Sequence, residues 1–351
     1  MISKKQKLDF LDINKKILCW YARSARDLPF RKTRDPYKIW ICEIVFQQTR
    51  ISQGIAHYEK FIQRYPNVQE LAQSDLDEIL VYWRGLGYYS RAHNIYKASL
   101  QIMNDFGGKF PNAYEDILKL KGIGKYTAAA ISSICFSGRY PAIDGNFYRV
   151  MSRFLASEYD ISKTGAYKHF SEISMPLFSE GNTGDLNQAI MDLGSVICKP
   201  KKPLCKQCPI HGDCLAFANN NVEFYPVKSK KTHQKNESLT YYFIEYQNQF
   251  LAKKRNDNSI WKNLYEFPPE LPSMDSSTII LERKPSTIFH QLTHKRLMIT
   301  IHHVYMKTGE NFSQFARENA CQIIPFHNHK KISLPRPLER YIENLLEALT
   351  L

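Results

Sequence analysis

The sequence predicts a multidomain chain: an all-α domain over residues 1–225, a polar linker over 226–238 and a small α+β domain over 239–351. Three observations carry this reading. At ~150 residues per domain, 351 residues is long for one domain and comfortable for two. Apolar residues recur at helical spacing from Phe10 to Phe217 and change to strand-like alternation beyond Thr240. Between them the stretch YPVKSKKTHQKNES, Tyr225 to Ser238, is basic and has no apolar periodicity.

Within the first domain Leu71, Leu76, Ile79, Leu80 and Trp83 mark one helical stretch, with Ser74 and Asp75 as caps and Gly85 as its stop. Gly85, Gly87, Gly107, Gly108 and Pro111 punctuate short helices joined by short loops. In the second domain Leu297, Ile299 and Ile301 alternate with Met298, Thr300 and His302, as in a half-buried strand. Leu338, Tyr341, Ile342, Leu345, Leu346 and Leu349 trace one face of a closing helix.

Composition excludes whole classes. With 43% hydrophobic and 23% charged residues the chain can bury a core and is not compositionally disordered. No run approaches the ~20 apolar residues that cross a bilayer, and MISKKQKLDFLD lacks the apolar segment of a secretory signal. The expectation is a monomeric cytoplasmic protein with no membrane partner, nucleoid-associated if bacterial. Lys and Arg outnumber Asp and Glu by 48 to 34, and the resulting +14 attracts polyanions in a salt-dependent way. A soluble basic protein carries the same excess, so the motifs must decide.

Four of the eight cysteines, Cys198, Cys205, Cys208 and Cys214, fall in one short segment, while Cys19, Cys42, Cys135 and Cys321 are scattered among apolar neighbours. A cluster beside scattered singles points to a metal centre in a reducing compartment rather than to disulfides. The spacing C-x6-C-x2-C-x5-C has a single C-x2-C knuckle where structural zinc sites usually have two. Zinc and iron–sulfur both remain open on spacing alone. From Cys198 to Lys231 seven lysines face two acids, a local net of +5 that suits a phosphate backbone.

The segment ILKLKGIGKYTAAA turns between two helices at Gly122 and Gly124, flanked by Lys121 and Lys125. Glycines there let the backbone approach a phosphate, and the free N–H groups of the next helix point at it; an ordinary helix–helix turn has the same form. Glu43, in YKIWICEIVFQQ, is set among apolar residues. Burial raises a carboxyl pKa, which keeps the proton a general acid must donate; a structural Glu paired with Arg is the alternative. Asp144, in PAIDGN, is either a second functional carboxylate or a helix N-cap.

These stretches together with RDLPFR, GLGYYSRA, NQAIMDLG and the cysteine loop resemble, in order, adenine DNA glycosylases of the endonuclease III (helix–hairpin–helix) superfamily over nearly all of residues 20–227. The resemblance implies a helix–hairpin–helix glycosylase domain with a [4Fe–4S] cluster on Cys198, Cys205, Cys208 and Cys214. It also implies excision of adenine opposite 8-oxoguanine or guanine in double-stranded DNA. Glu43 matches the general acid, Asp144 the carboxylate that stabilises the sugar cation, Tyr126 a tyrosine that hydrogen-bonds that aspartate, and Asn146 its support. Arg26, Arg31 and Gln188 match the adenine pocket; Gln48 and Tyr88 match residues that wedge into the duplex, and Gly122, Gly124 and Lys125 match the hairpin. Relatives that also nick the strand carry a lysine where Tyr126 stands, so a true β-lyase step is not expected.

WKNLYEFPP, from Trp261, resembles Nudix-like domains, but the R-E-x-x-E-E catalytic box is absent from the sequence, which argues against pyrophosphohydrolase activity. In the resembled family this domain reads 8-oxoguanine through a loop that Leu292, Thr293 and His294 match; a simple strand turn is the alternative. Three other functions compete: a glycosylase of altered base choice, a catalytically silent DNA-binding scaffold, and a redox-sensing iron–sulfur protein. Intact Glu43 and Asp144 weigh against the first two.

Overall fold

A computed structural model describes residues 9–229, 235–255, 260–271, 279–281, 284–292 and 295–349. Backbone contacts divide the chain into two units, one of residues 1–73 and 97–230, the other of residues 74–96 and 231–351.

The first unit is helical, as expected. It contains α1 (Phe10–Ser24), α2 (Pro36–Val45), α3 (Ile51–Arg64) and α4 (Val68–Gln73); α5 (Leu76–Tyr82) lies in the second unit, and the division falls within α6 (Ser90–Asp105). There follow α7 (Tyr114–Lys119), α8 (Lys125–Phe136), α9 (Gly145–Phe154), α10 (Ala166–Ser174), α11 (Thr183–Asp192) and α12 (Leu215–Ala218). Of the two caps expected for α5 it is Asp75 that serves, accepting from Asp77 N at 3.0 Å; Asp9 accepts from Leu11 N at 3.0 Å and Asn182 from Asp185 N at 3.1 Å in the same way. Leu71 belongs to α4, not to the helix that Asp75 caps, because the chain leaves helical geometry between Gln73 and Leu76.

One core gathers Ile13 and Ile17 from α1, Phe147, Val150 and Phe154 from α9, Phe170 from α10 and Leu186, Ala189 and Ile190 from α11. Beside it α8 carries buried Ala128, Ala129 and Ala130, and their small side chains admit α2, α7 and α11 at close range. The tightest approach is at Gly184, where a Cβ would sit 2.8 Å from both Ile134 Cα and Ser133 O. Backbone cannot yield as a side chain can, so Gly184→Ala is expected to cost about 1–3 kcal/mol through overpacking. A thermal melt checks this; an unchanged midpoint would mean that α8 and α11 part freely.

The second unit is a mixed sheet of β1 (Lys235–Tyr246), β2 (Gln249–Lys254), β3 (Tyr265–Glu266), β4 (Ile279–Leu281), β5 (Ser286–Gln291), β6 (Lys295–Met306) and β7 (Cys321–Pro325). Parallel β1 and β6 form its centre; β2 flanks β1 and carries β3 and β7, while β4 and β5 both pair antiparallel with β6. Leu297, Ile299 and Ile301 are buried and Met298 is exposed, as the alternation requires. Their face packs against α14 (Arg336–Leu349), and α13 (Gly309–Glu318) covers Ile244, Val304 and Met306 on the other.

Two boundaries differ from the sequence reading. Lys235 to Ser238, assigned to the linker, begin β1, because ladder pairing with Lys295 to Met298 sustains a strand that has no apolar pattern of its own. Residues 74–96 group with the second unit, where Lys254 meets Asp77 at 2.7 Å and Arg84 meets Glu339 at 3.1 Å.

Candidate active site

Glu43 lies on α2, which starts at Pro36 under an Asp35 cap (Tyr37 N to Oδ1, 2.9 Å) and buries Ile39, Trp40, Ile41, Cys42, Ile44 and Val45. Such a helix cannot turn a polar face to water, so its one acid is held half-buried against α8. Burial lifts the Glu43 pKa to about 7; Tyr126 draws it down, the charge of Asp144 raises it and that of Arg31 lowers it. Among the described residues no cation lies within ion-pair distance of Glu43, so it is not the Arg-paired structural acid.

Tyr126 stands in the first turn of α8, and Gly124 is that helix's N-cap. Burial first, then the charges of Glu43 and Asp144, push the phenol well above its ordinary value, so it acts as a neutral donor. Its hydroxyl donates to Met191 Sδ at 3.8 Å, and the charges of Glu43 and Asp144 both act on it. A hydrogen bond from Tyr126 to Asp144, expected from the resemblance, is not among those of the described residues. Asp144 is an N-cap: its oxygens accept from Phe147 N at 2.7 Å and Asn146 Nδ2 at 2.8 Å, with Tyr126 only within electrostatic range. The carboxyl pKa of Asp144 is nonetheless raised, because burial outweighs those bonds.

Behind Asp144 a chain of contacts escaped the sequence reading. Arg149 Nη2 donates to Asn146 Oδ1 at 2.8 Å and to Gly194 O at 2.7 Å, while its Nε donates to Cys198 O at 2.7 Å. A Cβ on Gly194 would come within 2.6 Å of Asn146 Cβ, so this glycine lets the start of the cysteine loop close on the support of Asp144. The only signal was spacing: Asn146 and Arg149 are i and i+3 on α9.

Arg26, Arg31 and Gln188 gather at the end of α11, but the arginines are first held by Asp192. Its fully buried carboxylate takes Arg31 at 2.5 and 2.7 Å and Arg26 Nε at 2.6 Å. Burial acts to raise the Asp192 pKa, yet the bonds and charges of Arg31 and Arg26 prevail and hold it below the usual range. Gln188 Oε1 accepts from Tyr21 OH at 3.1 Å, and Arg31 lies 5.6 Å from the Tyr21 ring centre. Asp192 was missed although NQAIMDLG contains it, because nothing local names two partners more than 150 residues away.

The hairpin is formed as expected. Gly122 has φ +81°, in the left-handed region that favours glycine, and Gly122, Gly124 and Lys125 are exposed. Lys125 Nζ lies 4.9 Å from the centre of the Tyr167 ring. Gln48, just beyond α2, is exposed at φ +57°; Tyr88 is 47% exposed at φ +46° and belongs to the second unit.

Cys198, Cys205, Cys208 and Cys214 all line one cavity of about 30 Å3. Among the described residues no group of three or more His, Cys, Asp or Glu is placed to hold a metal ion. Four cysteine thiols on one cavity are nonetheless the donor set that an iron–sulfur cluster takes. Buried Arg153 fixes the loop by bonds to Val222 O, Tyr225 O, Lys199 O and Pro200 O, and its Nη1 meets Cys198 Sγ at 3.4 Å. Thr293 and His294 lie outside the described residues; on either side of them Leu292 N donates to Lys295 O at 2.8 Å. Among the described residues no helix is long and apolar enough to cross a membrane.

A family model for HhH-GPD superfamily base excision DNA repair proteins matches residues 41–176, and one for the NUDIX domain matches 240–344. The adenine DNA glycosylase of Buchnera aphidicola subsp. Schizaphis graminum is 36% identical over 340 residues, covering 93% of this chain and 96% of that protein. That of Homo sapiens is 36% identical over 209 residues, covering 57% of this chain and 38% of its own length. Among solved structures, a thermostable thymine-DNA glycosylase aligns at TM-score 0.56 and 30% identity, covering 60% of this chain and 97% of that one. A trapped endonuclease III–DNA covalent intermediate aligns at TM-score 0.51 and 20% identity, covering 61% and 99%, a likeness of fold.

Proposed function

The chain belongs to the adenine DNA glycosylase family, and from that premise we propose that it flips adenine out of duplex DNA opposite 8-oxoguanine or guanine and hydrolyses its N-glycosyl bond without a β-lyase step. One observation carries the reading: a half-buried carboxyl with its pKa at about 7, beside a second carboxylate. Adenine leaves poorly as an anion. Glu43 holds a proton near neutrality and delivers it, at N7, as the C1′–N9 bond breaks.

The sugar then develops cationic character, and the charge of Asp144 offsets it, through electrostatics or a transient covalent bond, as retaining glycosidases do. Phe147 N, Asn146 and, behind it, Arg149 fix the direction of that carboxylate. Tyr126 helps to orient Glu43. Extrusion of the base costs a few kcal/mol, for which Gln48 and Tyr88 are the wedges and Arg26, Arg31 and Gln188 the pocket. Tyr126 cannot form the Schiff base of a lyase, and the adjacent amine, Lys125, lies over Tyr167.

Gly122, Gly124 and Lys125 supply the backbone N–H groups and the charge that grip a phosphate. Cys198, Cys205, Cys208 and Cys214 would hold a [4Fe–4S] cluster, which when bound supplies a rigid cross-link for the lysine-rich loop. Thr293 and His294, between β5 and β6 in the sequence, are the proposed reader of 8-oxoguanine.

The likeness to a thymine-DNA glycosylase supports altered base choice as a second reading. Glu43 opposes it, since release of a pyrimidine needs no N7 proton donor. A single-turnover assay on A·8-oxoguanine, A·G and G·T duplexes, read before and after hot alkali, separates them. Breaks at adenine only after alkali are expected. Breaks before alkali would overturn the absence of a lyase step, and cleavage confined to G·T would replace the adenine reading.

A further inference from the structure

We infer that the free edge of β5 and the adjoining flank of α14 form a docking groove for an extended, acidic peptide segment of a partner protein, which adds to the sheet as a further strand. Among the described residues β5 pairs on one side only, with β6, from Ser286 with Ile301 to Gln291 with Arg296. A groove of about 670 Å3 runs beside it, lined by four consecutive strand residues, Ser286 to Phe289, and by Arg340, Asn344 and Leu345 of α14. Successive strand residues point to opposite faces, so a groove touching four in a row follows the edge of the strand rather than one face.

An unpaired edge offers a row of backbone donors and acceptors that only another extended chain satisfies in full. The usual defences are thin here: a proline precedes the strand at Pro285, but from Ser286 to Gln291 there is no lysine, no other charge that repels a partner strand and no further proline. The floor is apolar. Ile288 and Leu345 are partly buried against the sheet's core, and Phe289, 71% exposed, stands with its cross-strand partner Met298 on the other face.

The charge selects the occupant. Arg336, one turn before Arg340, is matched by Glu339 at 2.8 Å and Glu343 at 3.0 Å. Arg340 is exposed at the rim of the groove and has no carboxylate within ion-pair distance among the described residues. The row of an added strand that points to the α14 face meets Ile288, Leu345 and Arg340 together, so β-branched and acidic residues must alternate within that row. On a chain of net charge +14 an acidic segment is also favoured on approach.

The test uses the full chain and a fluorescein-labelled octapeptide, Val-Val-Glu-Glu-Val-Val-Glu-Glu, in which each face of the strand alternates valine and glutamate. Expected results are saturable binding by anisotropy and roughly tenfold slower amide exchange over residues 286–291 at saturation. Arg340→Glu should weaken binding about tenfold or more, and so should N-methylation of alternate peptide amides, which removes strand hydrogen bonds but keeps every charge. Adenine excision should be unchanged in the Arg340 variant. The proposal is overturned by no saturable binding up to about 1 mM, or by undiminished binding of the N-methylated peptide, which would mean attraction by charge alone. Sedimentation showing dimers whose β5 amides are already protected would overturn it in favour of a second copy of the chain.

Discussion

Glu43→Gln should abolish adenine release while leaving the duplex bound. The amide keeps the shape of the carboxyl and its place on α2, but it has no proton to transfer as the C1′–N9 bond breaks. Loss of a positioned general acid costs about 10²–10⁴ in rate, a drop that single-turnover kinetics on an A·8-oxoguanine duplex reads directly, with a mobility-shift titration as the control for binding. The pH profile of the unaltered protein tests the same assignment. With the pKa of Glu43 near 7 the competent, protonated form dominates below neutrality, so excision should fall as pH climbs through 7. On the acid side it should fall again as Asp144, whose carboxyl is also raised, takes up a proton. Stability gives a readout independent of catalysis. Between the ordinary glutamate value of 4.5 and about 7 the native chain binds more protons than the unfolded one, so the contribution of Glu43 is intact below 4.5 and is lost as pH rises through 7. Glu43→Gln escapes that loss. It should be more stable than the parent at pH 8, by on the order of 1–3 kcal/mol, with the gap closing towards pH 4. Full activity in the variant, or a melting difference that ignores pH, would remove Glu43 from its role.

What could be read from the sequence divides along the range of the interactions involved. Glu43 and the glycine hairpin were legible because their signals are local: one acid in an apolar helix, two glycines before an alanine-rich run. Asp144 was legible as a helix N-cap, and it is one, a geometry that fixes the direction of its carboxylate. The strand through Leu297, Ile299 and Ile301 followed from a period of two. Asp192 did not, because a buried aspartate and two arginines from the loop after α1 meet only when α11 folds back on α1. Lys235 to Ser238 were taken for linker because they become a strand through pairing with β6, some sixty positions on, which leaves no mark in their own composition. For Tyr126 the family motif names the residue, but a motif cannot say how side chains on α2, α8 and α9 meet.

Asp192→Asn carries the largest expected loss of stability. The carboxylate has no exposed surface and is the shared counter-charge of Arg31, 12% exposed, and Arg26, 30% exposed. Removing one partner of a buried pair leaves the other's desolvation uncompensated, typically about 3–5 kcal/mol, and asparagine also presents an N–H2 where a guanidinium needs an acceptor. Its pKa lies below the usual range, so the stability Asp192 confers is present above the unfolded value near 3.8 and is lost as pH falls through the folded one. Denaturant midpoints of the parent and Asp192→Asn should therefore differ widely at pH 7 and converge on acidification. Catalysis should respond as well. Arg31 lowers the pKa of Glu43 by its charge, and without Asp192 that charge is no longer balanced, so the alkaline limb of excision should move to lower pH. Asp192→Leu combined with Arg31→Met separates the two effects: with the more deeply buried ion pair removed and only Arg26, 30% exposed, left to reach solvent, much of the stability should return while excision stays impaired. Recovery of neither would mean that Asp192 is held by packing alone. Recovery of both would mean that Arg31 serves Asp192 and plays no part in the adenine pocket.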